Sequence, residues 1–186
     1  KEESNDKDKK YNKLRKESSI KKEILYVTAQ EHAVPSSMLA MIKYIKAEKN
    51  DYEQLIAVNS GNIKESEERL KRYNLSDIQI ITRDDEKYLK SLSEAEYIFS
   101  DCGLEYYFAA KNNQKYFNLQ TDNISAKMTR KKERECFEFA TVQKSIITPK
   151  ASIYLTNESR LSFEKAYRCE MLPTSAIISD SPAFDM

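Results

Sequence analysis

A single histidine, His32, follows an apolar run ending at Ala29 and precedes Pro35-Ser36-Ser37. An imidazole titrates near neutrality, so His32 could take the proton of an attacking hydroxyl, and neighbouring Glu31 could orient it and raise its basicity. The plain alternative is a surface-loop histidine, since no triad partner is visible. Ser36 and Ser37 stand where a helix should open. Free backbone N–H groups and the helix dipole could hold a phosphate there, or the serines could serve as ordinary caps. Asp101 and Asp122 each close a strand-like run and could share a site as acid and base or as metal ligands. Neither has a diagnostic spacing, and solvated turn aspartates are the default account. The run Lys127, Arg130, Lys131, Lys132, Arg134 could follow an anionic polymer or an anionic membrane, or form a solvated helix face interspersed with Glu133 and Glu135. Cys102, at a strand end, is the one cysteine positioned to react. Tyr106, Tyr107 and Tyr116 could be a stacking platform or, more simply, packing aromatics.

Several classes are excluded. The 186 residues carry a formal net charge of +1, without the basic excess of a nucleic-acid binder. With 2 glycines there is no material for a phosphate-binding G-x-G-x-x-G or P-loop, and no G-x-S-x-G elbow occurs. The 3 cysteines lack C-x-x-C spacing, so neither a zinc site nor a disulfide framework is expected; Cys136 and Cys169 read as buried small apolar residues. No run is long enough to span a membrane and no secretory signal is visible, so the cytoplasm is the expected compartment. Metal and cofactor are both expected to be absent.

The elements that must position these residues alternate regularly. Strands are expected at Ile24–Ala29, Leu55–Val58, Ile78–Thr82, Tyr97–Phe99, Tyr116–Leu119, Ala151–Thr156 and Ser175–Ser179. Helices are expected from Pro35, over Ile63–Tyr73, from Asp84 through Leu92, over Met128–Ile147 and over Glu158–Tyr167. Leu104 to Ala110 has helical periodicity, which makes 95–120 a strand–helix–strand unit with parallel strands. The pattern indicates an α/β, Rossmann-like three-layer sandwich with a mostly parallel sheet. Ligands should sit beyond the carboxyl ends of its strands. Lys1–Lys22 is charge-dense and poor in apolar residues, and reads as a disordered or linker tail, or at best a solvated helix. Residues 23–186 then form the domain, cut from a longer protein.

Two stretches carry a resemblance. Ala95-Glu96-Tyr97-Ile98-Phe99-Ser100, followed by Tyr107-Phe108, Lys111 and Gln114-Lys115-Tyr116-Phe117-Asn118, resembles the acceptor-side half of the CDP-glycerol glycerophosphotransferases, the polyol-phosphate transferases of teichoic acid synthesis. Ala151–Asn157, Phe163–Tyr167 and Ile178–Asp185 look like the run that ends this lobe in Gly-Tyr-Pro-Arg-Asn-Asp, of which Pro182 and Asp185 remain. The Trp-His-Gly-Thr-Pro motif of that family is replaced by Gln120-Thr121-Asp122-Asn123-Ile124, without its histidine.

The resemblance implies the N-terminal lobe of a two-lobed GT-B fold. Its reaction would be transfer of glycerol or ribitol phosphate from a CDP donor to a polymer or lipid-linked hydroxyl, in cell-wall teichoic acid or glycopolymer synthesis. The partners would be the second lobe of the same chain, a glycopolymer or lipid-linked acceptor, and the inner face of the plasma membrane. The isolated lobe should not turn over. His32 is the expected base, and Ser36, Ser37, Asp101, Thr121 and Asp122 the expected acceptor or phosphate contacts. The lost histidine equally suits a catalytically degenerate lobe kept to bind a glycopolymer or a partner. A sugar transferase of the same fold with a nucleotide-sugar donor is a related reading.

Overall fold

A computed structural model describes residues 2–29, 33–48, 51–119, 144, 147–167, 169 and 175–180. Seven strands are present: β1 (Lys21–Val27), β2 (Glu53–Val58), β3 (Gln79–Thr82), β4 (Ala95–Ser100), β5 (Lys115–Leu119), β6 (Ala151–Tyr154) and β7 (Ala176–Ile178). They form one sheet in the order β3-β2-β1-β4-β5-β6-β7, with every neighbouring pair parallel. The described helices are α1 (Glu2–Glu17), α2 (Ser36–Glu48), α3 (Ile63–Arg72), α4 (Glu86–Glu94) and α5 (Asn157–Ala166). Each expected strand is found within a few residues of its expected bounds. The long helix expected over 128–147 falls largely outside the described residues.

Burial on both faces explains why β1 and β2 read as continuous apolar runs. Leu25, Val27, Leu55 and Ala57 pack on one face with Leu89 and Leu92 of α4. Ile24, Tyr26, Ile56 and Val58 pack on the other with Met38, Leu39 and Ile42 of α2 and Leu70 of α3. The chain runs outward from β1 to β3 through α2 and α3, then returns through α4 on the opposite face. Crossovers of one hand require this change of face when the direction reverses. β4 therefore lands beside β1 and the strand order switches there. Tyr26, Phe99 and Phe117 lie side by side across this point, stacked at centroid distances of 5.7 and 5.3 Å.

Local chemistry ends the helices. Asn74 takes φ 57° after α3, and Leu75 N donates to Leu70 O at 2.9 Å while both leucines are buried. This is the left-handed C-terminal cap, with its hydrophobic contact, that asparagine tolerates. At α5, Ser159 N donates to Thr156 Oγ1 at 3.0 Å and Thr156 N donates to Ser159 Oγ at 3.2 Å, a reciprocal box. Cys169, expected on a helix, follows α5 instead and is buried with Tyr154, Phe163 and Tyr167.

Two expectations differ from the structure. The tract read as a disordered or linker tail, or at best a solvated helix, contains helix α1, whose Tyr11 is 0 % exposed and whose Leu14 packs against the same core. Two residues three apart suffice to bury one side of a charged helix against α4. The segment 104–110 is not a helix: one turn closes, with Phe108 N donating to Glu105 O at 2.9 Å. Its carbonyls are taken by outside donors. Tyr11 Oη and Arg15 Nε reach Ala109 O at 3.1 and 2.7 Å, and Lys144 Nζ donates to the carbonyls of Tyr106 and Phe108. Leu104 and Phe108 are buried at the spacing a helix would give, which is why the sequence suggests one.

Candidate functional site at the carboxyl edge of the sheet

The switch in strand order puts the ends of β1 and β4 side by side, with Val27 opposite Ser100. The two chains diverge from this point, and that divergence makes the crevice where such sheets bind ligands. Asp101 is 7 % exposed, and its Oδ1 accepts from Ala29 N at 2.7 Å while its own N donates to Val27 O at 3.3 Å. The carboxylate thus continues the ladder past the last paired residues and fixes the width of the crevice. It is not a solvated turn aspartate, since its Oδ1 is engaged by backbone.

A second group of residues, which the sequence reading did not single out, braces this edge. Arg83, directly after β3, donates from Nη2 and Nε to Glu105 Oε1 at 2.7 and 3.2 Å. Its Nη1 lies 3.5 Å from Thr28 O and 3.6 Å from Cys102 Sγ. Tyr88 of α4 donates to the other oxygen, Glu105 Oε2, at 2.6 Å. One carboxylate therefore ties the ends of β1, β3 and β4 to α4. Burial opposes the Arg83 charge, but Tyr88 and Glu105 beside it outweigh that and hold its pKa above the ordinary value. Burial, with Glu105 adding to it, pushes the Tyr88 phenol well up. At neutral pH this is a closed ion pair with a neutral phenol donor. It braces the edge and offers no free charge. Nothing local in the sequence marks it, since the partners are 22 residues apart.

Cys102 changes its meaning here. Burial raises its thiol from 9.0 to about 11, more than Arg83 lowers it, so the thiol is protonated near neutrality. At the pH of ordinary labelling, its thiolate fraction is about a hundredfold below that of a free thiol. Iodoacetamide near pH 8 is expected to label Cys102 far more slowly than a cysteine in the urea-unfolded chain. Equal rates in the two states would contradict the buried thiol.

Ser36 opens α2, and Ser37 is 2 % exposed rather than presented to solvent. Ser37 lines a cavity of about 190 Å³ with Met41, Leu119, Ile153, Ile177, Ser179 and Asp180, at the carboxyl ends of β5, β6 and β7. Tyr116 and Tyr107 pack in or against the core and Tyr106 is exposed, so the three do not form one platform. Among the described residues, no three His, Cys, Asp or Glu converge to hold a metal, and no helix is long and apolar enough to cross a membrane. His32, Thr121, Asp122, Lys127, Arg130, Lys131, Lys132 and Arg134 lie outside the described residues, as do Cys136, Pro182 and Asp185. In the chain, His32 falls between β1 and α2.

The comparisons agree with this architecture. A family model described as CDP-Glycerol:Poly(glycerophosphate) glycerophosphotransferase matches residues 11–173. Among solved structures, the wall teichoic acid polymerase TagF matches with a TM-score of 0.63 and 16% identity, over 94% of this chain and 43% of that one. A histidine-to-asparagine variant of TagF soaked with CDPG matches at TM-score 0.63 and 16% identity, over 95% of this chain and 45% of that one. A histidine-to-alanine variant gives 0.64 and 16%, over 96% and 44%. At this identity the likeness shows the fold: a seven-stranded all-parallel sheet flanked by helices, equivalent to about half of a GT-B enzyme. The chain spans less than half the length of the solved chains it matches. No curated protein matches it.

Proposed function

Because the chain belongs to the CDP-glycerol:poly(glycerophosphate) glycerophosphotransferase family, we propose that it is the acceptor-side lobe of a polyol-phosphate transferase of teichoic acid or glycopolymer synthesis. The observation that carries this reading is the family match over residues 11–173, which takes in the whole switch-point edge from β1 to β6. On this reading a second lobe of the same longer chain binds the CDP donor across the crevice, and the lobe alone does not turn over. No cofactor is required.

The acceptor hydroxyl attacks the donor phosphorus, CMP leaves, and a base in the crevice takes the hydroxyl proton. His32, on the connection between β1 and α2, is the residue we assign to that proton. Ser36, at the start of α2, would orient a phosphate with the help of that helix's dipole. Ser37 acts from the buried side of the first turn. Thr121 and Asp122, on the connection after β5, complete the acceptor contacts, and Asp101 sets the crevice width. Lys127, Arg130, Lys131, Lys132 and Arg134 would hold an anionic polymer, or keep the protein at the cytoplasmic face of an anionic membrane.

A second reading has an observation of its own. Gln120-Thr121-Asp122-Asn123-Ile124 stands where the family motif carries a histidine, which favours a degenerate lobe that binds a glycopolymer or a partner without transfer. The experiment is transfer from labelled CDP-glycerol to a lipid-linked acceptor by the full-length parent, beside His32→Ala. Transfer by the parent that disappears in a folded His32→Ala protein supports the base. Transfer retained by the variant removes His32 from the mechanism. A parent inert with both CDP-glycerol and CDP-ribitol moves the binding reading ahead.

A further inference from the structure

We propose that the opposite end of the sheet holds a second binding site, for a small zwitterion whose ammonium group meets Glu23 and whose anionic group meets Lys13 and Lys90. A cavity of about 690 Å³ opens there between α1, α4 and the amino ends of β1 and β2. That volume is within the range of small-molecule sites. It is at the far end of the strands from the carboxyl-edge crevice and does not depend on the transferase reading.

The floor is acidic and incompletely satisfied. Glu23 lies in register beside Glu53 on the next strand and is 6 % exposed. Ser91 bonds its carboxylate, but its Oε1 has no partner. A buried carboxylate oxygen without a donor is costly, and burial pushes the Glu23 pKa up accordingly; a ligand that supplies a charged donor would offset that cost. Glu94 adds a second observation. It is the last residue of α4, also 6 % exposed, and α4 has no basic residue in its last turn. The carbonyl end of a helix already carries negative potential, so an acid there is unfavourable unless a cation is close. Lys21 provides one cation to Glu94, while Lys87 pairs with Glu53 at 3.8 Å. Glu23 remains as the floor acid without a cation bonded to it.

The mouth carries more lysines than acids, Lys10, Lys13, Lys21, Lys87 and Lys90 against Glu17, Glu53 and Glu86. Lys13 and Lys90 line the cavity, are exposed, and have no ion-pair partner among the described residues. Leu14 and Leu89 supply apolar wall between floor and mouth. Acid at depth, aliphatic wall and lysines at the rim match an amino group, a short alkyl body and an anionic group in that order.

Calorimetric titration of the chain with 6-aminohexanoate, hexylamine and hexanoate separates the two charges, with glycine and 4-aminobutyrate testing the length. A zwitterion should bind tightest, hexylamine more weakly and hexanoate not measurably. Glu23→Gln keeps the shape and should weaken the zwitterion by about tenfold or more, as loss of a charged hydrogen bond does. Lys13→Ala with Lys90→Ala should make 6-aminohexanoate no better than hexylamine. If Glu23→Gln does not fold, Leu14→Trp, which fills the cavity from its wall, should block binding. Silence from all five compounds would overturn the proposal, as would hexanoate binding as well as the amines, or unchanged binding in a folded Glu23→Gln or Leu14→Trp protein.

Discussion

Replacing Glu105 with alanine is expected to lower the stability of the chain by about 3–5 kcal/mol, the cost of removing one partner from a buried ion pair. Arg83 and Glu105 side chains are 15% and 17% exposed, so water can do little to replace the lost partner. Three groups lose their acceptor at once: Arg83 Nη2, Arg83 Nε and the fully buried Tyr88 hydroxyl. Removing both charges should cost less than removing one. Arg83→Met with Glu105→Leu should therefore recover a substantial part of the loss, since a paired charge contributes little beyond its own desolvation. Urea unfolding of the wild type, Glu105→Ala and the double variant measures it. A loss below about 1 kcal/mol for Glu105→Ala would mean that the pair behaves as a solvent-screened surface bridge. The loss should also appear locally, as faster hydrogen exchange at the ends of β1 and β4, since both are held through Thr28 and the 101–105 segment.

Tyr11→Ala should be comparably damaging, at about 3–5 kcal/mol for a large aromatic removed from a packed core. Tyr11 is fully buried, with its ring 5.3 Å from Tyr107 and 6.3 Å from Phe108. Burial, only partly offset by the hydrogen bond to Ala109, raises its phenol to about 12. Tyr11→Phe keeps the ring and loses the bond to Ala109 O, so it should cost about 1 kcal/mol. Chemical unfolding checks both variants. A near-neutral Tyr11→Ala would show that α1 is an appendage to the core.

Legibility in the sequence follows a physical division. The central strands were readable because β1 and β2 are buried on both faces and so carry continuous apolar runs, as in Ile24–Val27 and Leu55–Val58. The fold class followed from their alternation with helices. The docking of α1 was not readable because its burial rests on Tyr11 and Leu14 alone, against a background of charge. Leu104–Ala110 misled because periodicity records which side chains are buried and is silent about where the carbonyls go. In the candidate site, the serines and Asp101 could be placed at element ends from sequence, but the role of Asp101 could not. Its partner is the amide of Ala29, and a backbone group leaves no mark in a sequence. The Arg83–Glu105–Tyr88 brace was equally silent, because each residue alone looks like a surface charge or an ordinary aromatic.

The place where the strand order reverses also orders the events of folding. β1 and β2 pair after a connection of ordinary length, but β1 and β4, from Leu25 opposite Ile98 onward, meet only when roughly seventy residues of chain have closed into a loop. Pairing of such distant segments is slow, because the entropy of closure is lost before any contact repays it. The β1–β3 half should therefore assemble early. Docking of β4 then becomes the slow step, and until it occurs the edge of β1 stands open with Leu25, Tyr26 and Val27 exposed to other chains. Synthesis at low temperature, or with a chaperone present, should raise the yield of native protein by protecting that edge during the wait.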